Sequence, residues 1–165
     1  MNILDKIIAD KYKEVALRKQ LIPMKQLEQS VLFDRKSPSL AQALSTSASG
    51  IIAEHKRRSP SKATINNNLN VQDVARGYEQ AGVCGMSVLT DGKYFGGSLD
   101  DLLLARASAQ LPLLRKEFVI DTYQILEAKA YGADVILLIA AVLTREEIKS
   151  LSEFAKSLGL DVLLE

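Results

Sequence analysis

The chain has 165 residues, 47% of them hydrophobic, a length that supports one sizeable core and argues against two independent domains. Its 21 Lys and Arg residues nearly balance 20 Asp and Glu residues, so the net charge of +1 excludes the broad basic surface of a nucleic-acid-binding protein. With one Cys and one His, the chain cannot build an intramolecular disulfide or a Cys/His zinc cage, so we expect no metal site.

Residues 1–50 are predicted to form a helical extension. Apolar residues at helical spacing predict an amphipathic helix over Ile3–Gln20, a short helix within Met24–Leu32 and another after Ser39. Charges interrupt the apolar residues of the N-terminus, which excludes a signal peptide, and no run reaches the roughly 18 apolar residues of a membrane helix. We therefore expect a cytoplasmic protein without a membrane or nucleic-acid partner.

After Gly50, five short apolar runs alternate with amphipathic helical segments. The predicted strands are Ile51–Lys56, Gly85–Thr90, Leu113–Lys116, Ala133–Ile139 and Asp161–Glu165. The predicted helices are Val71–Ala81, Leu99–Ala109, Thr122–Tyr131 and Arg145–Leu158. A glycine follows three of these helices at the position of a left-handed C-cap, namely Gly82, Gly132 and Gly159.

This alternation predicts an α/β fold in which helices cover a parallel sheet, either an open doubly wound sheet or a (β/α)8 TIM barrel. Polar residues at the carboxyl ends of several different strands favour the barrel, because barrels build their active sites there. An open sheet would gather its ligand at one crevice, usually beside a Gly-rich first loop, which this sequence lacks. Five strands cannot close an eight-stranded barrel, so we expect residues 51–165 to be a partial barrel and the chain to be truncated.

Four charged residues at strand ends are the candidate catalytic residues. Side chains alternate along a strand, so Glu54 and Lys56 share a face, where they should be paired because lone buried charges are costly. Lys116 and Glu165 repeat this pattern at the ends of the third and fifth strands. The alternatives are a structural ion pair on an edge strand for Glu54 and Lys56, and a solvated strand-end lysine for Lys116. Taken alone, Glu165 is weak evidence for a catalytic site.

Two loops are the candidate ligand-binding segments. The segment 57–62 is rich in cations and hydroxyls and suits a carboxylate or phosphate, although a solvated basic loop is the alternative. The segment Tyr94–Ser98 combines aromatic residues with glycines, which predicts a flexible loop that closes on an aromatic ligand or packs on the outer face. His55 and Cys84 are predicted to be packing residues that face helices.

Together these motifs resemble the indole-3-glycerol-phosphate synthase family of barrel enzymes. The family's first-strand motif is similar to residues 52–62, IAEHKRRSPSK, and its second-strand motif to SVLTD at 87–91 followed by YFGGS at 94–98. Its third-strand motif is similar to PLLRKEF at 112–118, and the helical extension is also typical of the family. The resemblance covers essentially the whole chain.

The resemblance implies ring closure of 1-(2-carboxyphenylamino)-1-deoxyribulose 5-phosphate, with loss of carbon dioxide and water, in tryptophan biosynthesis. It implies that Lys116 is the general acid and that Glu165 is the second acid/base. It also implies that Lys56 binds the anionic groups of the substrate and that Glu54 orients the lysines. The substrate-binding residues implied are Ser59, Pro60, Leu89, Phe95, Phe118 and Leu137. No metal or organic cofactor is implied.

The chain also departs from the family pattern. Ala63 stands where the family usually has Gly, and His55 where it usually has an apolar or aromatic residue. Strands six to eight and their phosphate cradle are missing, so we expect a fragment with little or no activity. Another phosphate-using barrel enzyme is disfavoured by the first-strand motif, and a half-barrel that self-associates through its open sheet edges, without catalysis, is the non-enzymatic alternative.

Overall fold

The computed structural model describes residues 2–165, so Met1, the first residue of the predicted extension, lies outside the described residues. The extension contains the helices α1 (Ile3–Leu21), α2 (Met24–Glu28) and α3 (Leu40–Thr46). Asn2 caps α1 by accepting a hydrogen bond from the Asp5 amide, and Ser39 caps α3 in the same way from Gln42. The three predicted helices are confirmed, with α2 shorter than the predicted range.

Five parallel strands form one sheet in the order 1-2-3-4-5. Four longer helices and one short helix connect consecutive strands. The strands are β1 (Ile52–His55), β2 (Gly85–Leu89), β3 (Leu113–Lys116), β4 (Val135–Leu138) and β5 (Asp161–Leu164). The helices are α4 (Val71–Gln80), α5 (Gly92–Phe95), α6 (Leu99–Ser108), α7 (Thr122–Ala130) and α8 (Arg145–Ser157).

The strand order distinguishes the two predicted architectures. A doubly wound sheet reverses its strand order at a switch point, whereas here each new strand is added on the same side of the previous one. This is the order of a barrel wall, and the α/β fold of a partial TIM barrel is confirmed. The boundary drawn between residues 50 and 51 stays a prediction.

The two faces of the sheet have different coverings. Outward side chains such as Met86, Leu113 and Ile136 lie in the main core with residues of α4, α6, α7 and α8. Inward side chains such as Leu114 and Leu137 pack in a second cluster that includes Leu40 of α3. Helix α3 therefore packs against the inner face where the strands begin, near Gly85 and Val135.

The largest local departure from prediction follows β2. Residues 94–98 were expected to form a flexible loop, but Gly92–Phe95 is a single helical turn, α5, because Asp91 accepts hydrogen bonds from the amides of Tyr94 and Phe95.

Gly82, Gly132 and Gly159 have φ values of 74°, 90° and 73°, so the predicted left-handed positions are confirmed. None of the helices within residues 2–165 is both long and apolar enough to cross a bilayer.

Candidate active site

Four charged side chains from three strands meet at the carboxyl-terminal edge of the sheet. Lys56 Nζ lies 2.8 Å from Glu54 Oε1, and Lys116 Nζ lies 3.8 Å from Glu54 Oε2 and 3.4 Å from Glu165 Oε2. Glu54, Lys56 and Lys116 are about one-third exposed, whereas Glu165 is 58% exposed. The structure therefore brings together all four predicted catalytic residues, with Glu54 between the two lysines.

The alternation of side chains along the strands explains this arrangement. Glu54 lies beside Ser87 in the register of β1 and β2, and the Ser87 hydroxyl donates a 3.1 Å hydrogen bond to Glu54 Oε2. Leu89 lies beside Lys116 in the register of β2 and β3. Ser87 is within the recognised second-strand motif, but its contact with Glu54 depends on strand register and was not predicted.

An apolar cavity of about 450 Å³ opens beside the charged cluster. The four predicted pocket residues Leu89, Phe95, Phe118 and Leu137 line it, as do Lys56, Asp91, Lys116, Glu117, Ile139, Ala141 and Glu165. The rings of Phe95 and Phe118 are 6.0 Å apart between centroids and tilted by 40°, a favourable aromatic arrangement. The cavity thus combines an aromatic wall with two ammonium groups at its rim, which suits an aromatic anion.

The basic loop after β1 is arranged differently from the prediction. Arg57 makes a bidentate pair with Asp101, at 2.5 and 2.8 Å, and Arg58 donates to the carbonyls of Gly92 and Lys93. Both guanidinium groups therefore bind the protein itself, and the residues lining the cavity do not include Ser59 or Pro60. Contact of those two residues with substrate stays a prediction.

A buried cluster of charged side chains beneath the cavity was not predicted from the sequence. Lys11 of α1 is 2% exposed, and its Nζ lies 2.9 Å from Asp91 Oδ2 and 3.1 Å from Glu117 Oε1. Burial lowers the pKa of Lys11, but the charge of Glu117 and the hydrogen bonds to Glu14 and Asp91 outweigh it and raise that pKa above its ordinary value. In the sequence, Lys11 is one of many lysines on an amphipathic helix, so its burial could not be predicted.

Neighbouring contacts extend this attachment of α1. Asp10 accepts hydrogen bonds from Lys93 Nζ at 2.6 Å and from the Tyr94 hydroxyl at 2.5 Å. Those hydrogen bonds, from Lys93 first and then Tyr94, lower the pKa of Asp10 to about 2. Helix α1 therefore holds α5 through both Asp10 and Lys11.

The His55 and Cys84 side chains are buried, as expected of packing residues. Cys84 packs in the inner cluster with Leu40 of α3, while His55 Nε2 has no hydrogen-bond partner in the structure. Burial and the nearby Arg57 cation lower the pKa of His55, so its imidazole is neutral at pH 7. Among residues 2–165, no three His, Cys, Asp or Glu side chains group in a way that could hold a metal ion.

Comparison with known proteins shows the family of the chain. The sequence profile described as indole-3-glycerol phosphate synthase matches residues 4–165. The chain is 48% identical to the indole-3-glycerol phosphate synthase of Bacteroides thetaiotaomicron over 164 residues, which are 99% of the chain and 63% of that relative. It is 43% identical to the enzyme of the same name from Dechloromonas aromatica, covering 99% of the chain and 64% of the relative.

A third relative gives the same result. The indole-3-glycerol phosphate synthase of Aquifex aeolicus is 44% identical over 154 residues, which are 93% of the chain and 60% of that relative. The chain thus spans about three-fifths of the length of these curated relatives. With the profile matching nearly every residue, the chain belongs to the indole-3-glycerol phosphate synthase family.

Proposed function

We propose that the protein carrying these residues closes the indole ring of indole-3-glycerol phosphate, starting from 1-(2-carboxyphenylamino)-1-deoxyribulose 5-phosphate. Carbon dioxide and water are lost, which makes the protein a carboxy-lyase of tryptophan biosynthesis. The observation that carries the proposal is the position of the Lys116 ammonium, between the carboxylates of Glu54 and Glu165 and at the rim of an aromatic-walled cavity.

The cavity accounts for substrate orientation. The anthranilate ring of the substrate lies against Phe95 and Phe118, with Leu89 and Leu137 on the adjoining wall. Lys56, at the same rim, pairs with the substrate carboxylate. Ser59 and Pro60 complete the rim in this proposal once the loop after β1 closes on the bound substrate.

The charged cluster accounts for the chemistry. Lys116 donates a proton to the ribulose carbonyl oxygen, so that the carbonyl carbon is attacked by the ring carbon that bears the carboxylate. The new carbon–carbon bond forms, the carboxylate leaves as carbon dioxide, and the ring recovers its aromatic electrons. Glu165 then assists the dehydration, in which the former carbonyl oxygen leaves as water, the neighbouring CH2 carbon loses a proton, and the carbon–carbon double bond of the indole forms. Glu54 orients both lysines, supported by the hydrogen bond from Ser87.

The test is turnover by the product of the complete reading frame that contains these 165 codons, assayed beside the 165-residue chain. Conversion of the substrate is followed by indole fluorescence, and the product mass is compared with the substrate mass minus carbon dioxide and water. The proposal expects that mass from the complete product. If the complete product binds the substrate but does not lower its mass, the proposed reaction is wrong.

A second candidate, self-association without catalysis, is supported by the sheet edges. Within residues 2–165, β1 and β5 each pair with one strand, so each has one unpaired backbone edge. Leu164 beside one edge is 56% exposed. Light scattering of the 165-residue chain tests this, because the self-association candidate predicts a concentration-dependent mass above 18.1 kDa, and a constant monomer mass contradicts it.

A further inference from the structure

The Lys11 ammonium bridges two carboxylates that belong to different loops of the candidate site. Asp91 follows β2 and Glu117 follows β3, and both line the cavity. Their side chains are 3% and 1% exposed, so water compensates neither charge. Lys11 is the cation that the two carboxylates share, and Arg115 Nη2 also lies 3.6 Å from Glu117 Oε2.

Each of these carboxylates also holds the backbone of an aromatic residue. Asp91 Oδ1 accepts hydrogen bonds from the amides of Tyr94 and Phe95, at 2.6 and 3.3 Å. Glu117 Oε1 accepts from the Phe118 amide at 2.9 Å, and Glu117 directly follows Lys116. One ammonium therefore connects the two backbone segments that carry the aromatic wall.

Attachment of α1 does not depend on Lys11 alone. Arg18 Nε lies 2.5 Å from Glu127, and Ile7 and Val15 are buried on the same helix. Removing the Lys11 charge therefore leaves the helix anchored. It leaves Asp91 without a cation, and it leaves Glu117 with only the more distant guanidinium of Arg115, whose Nη2 lies 3.6 Å from Glu117 Oε2. Like charges in a poorly solvated space move apart or take up water, and either response shifts the segments that carry Phe95 and Phe118.

We propose that Lys11 is a positioning residue, whose buried ammonium sets the separation of the Asp91 and Glu117 segments and thereby the Phe95–Phe118 wall that receives the aromatic ring of the substrate. The effect of Lys11 on the positions of Phe95 and Phe118 follows from the contacts alone. The effect of Lys11 on ligand binding rests on the proposed function.

The geometric test is a ring-to-ring nuclear Overhauser effect between Phe95 and Phe118, which is readily assigned because the chain has four Phe residues. We expect Lys11→Met to abolish it and Lys11→Arg, which keeps the charge, to retain it. Two controls should retain it as well: Lys6→Met removes an exposed lysine from α1, and Ile7→Ala loosens its packing without changing a charge. If Lys11→Met fails to fold, Lys11→Gln replaces it, because it also removes the charge, and the same loss is expected.

The ligand test is titration of the same variants with 2-aminobenzoate, followed by chemical-shift changes. We expect Lys11→Met to raise the dissociation constant at least fivefold, and Lys11→Arg, Lys6→Met and Ile7→Ala to stay within twofold of the unsubstituted chain. Retention of the ring contact and of affinity in Lys11→Met would overturn the inference, as would equal losses in Ile7→Ala. If the unsubstituted chain does not bind 2-aminobenzoate but Lys11→Met still loses the ring contact, the positioning role holds and the proposed substrate class is wrong.

Discussion

Replacement of Asp134 by Asn should strongly destabilise the fold without changing the candidate site. Asp134 is 0% exposed, precedes β4 at the end of the sheet away from the cavity, and receives Arg35 at 2.5 Å and Arg106 at 2.8 Å. Its Oδ2 also accepts the Leu113 amide at 2.9 Å. Arg106 is 5% exposed, so the substitution leaves a buried guanidinium without a counter-charge, with only neutral acceptors, namely the new amide oxygen and the carbonyls of Ala109 and Leu111.

Breaking a buried pair in this way costs about 3–5 kcal/mol. Because Asn still accepts the Leu113 amide, we expect the lower end, about 3 kcal/mol. At an m-value of about 2 kcal/mol/M, this lowers the urea midpoint by about 1.5 M. The matched control is Asp73→Asn, which removes an exposed pair with Arg76 and should cost less than about 1 kcal/mol.

Equilibrium urea unfolding followed by circular dichroism measures both variants. A loss within about 1 kcal/mol for Asp134→Asn would refute the claim that this carboxylate neutralises buried cations. Adding Arg106→Met to Asp134→Asn should recover part of the loss, with a coupling of about 1 kcal/mol or more, because the orphaned cation is then gone.

Two further predictions concern single positions. Since burial and Arg57 lower the pKa of His55 from its ordinary 6.5, the folded chain keeps this imidazole neutral while the unfolded chain binds a proton, so stability should fall as the pH drops below about 6.5. His55→Phe should reduce the difference between the urea midpoints at pH 7.5 and pH 5.5. The pKa of the single imidazole of the chain can also be measured directly by NMR, and an unshifted pKa in the folded chain would contradict the reasoning. A Cβ on Gly85 would lie 2.6 Å from Leu40 Cδ1 and 3.0 Å from the Pro112 carbonyl, so Gly85→Ala should cost about 1–3 kcal/mol. Gly77→Ala in α4 meets nothing within 4 Å and should stabilise the chain by about 0.5–1 kcal/mol, and urea midpoints in the reverse order would contradict the close approach of α3 to the sheet.

The regular elements were predictable because their signals are local. Alternating apolar runs and amphipathic helices gave all five strands and the four longer helices after them, and strand alternation put Glu54 and Lys56 on one face. Helix α5 was missed because a single turn has no periodicity, and what forms it is the side chain of Asp91.

The contacts that could not be predicted join distant parts of the chain. Lys11 meets Asp91 and Glu117 only after α1 docks across the strand ends, and Arg57 meets Asp101 only after α6 packs on the sheet. Nothing in the spacing of charges distinguishes these residues from solvated ones. The motif resemblance identified the residues around the cavity, whereas the support beneath them required the structure.

The most direct test of the proposed chemistry is kcat/KM of the complete gene product carrying Lys116→Met. General acid catalysis contributes roughly 10²–10⁴-fold, so a loss of at least about 100-fold is expected, with a small change in KM. Lys149→Met, which removes an exposed lysine from α8, is the control and should leave kcat/KM unchanged. Retention of kcat/KM within threefold by the Lys116→Met protein would contradict the assignment of Lys116 as the proton donor.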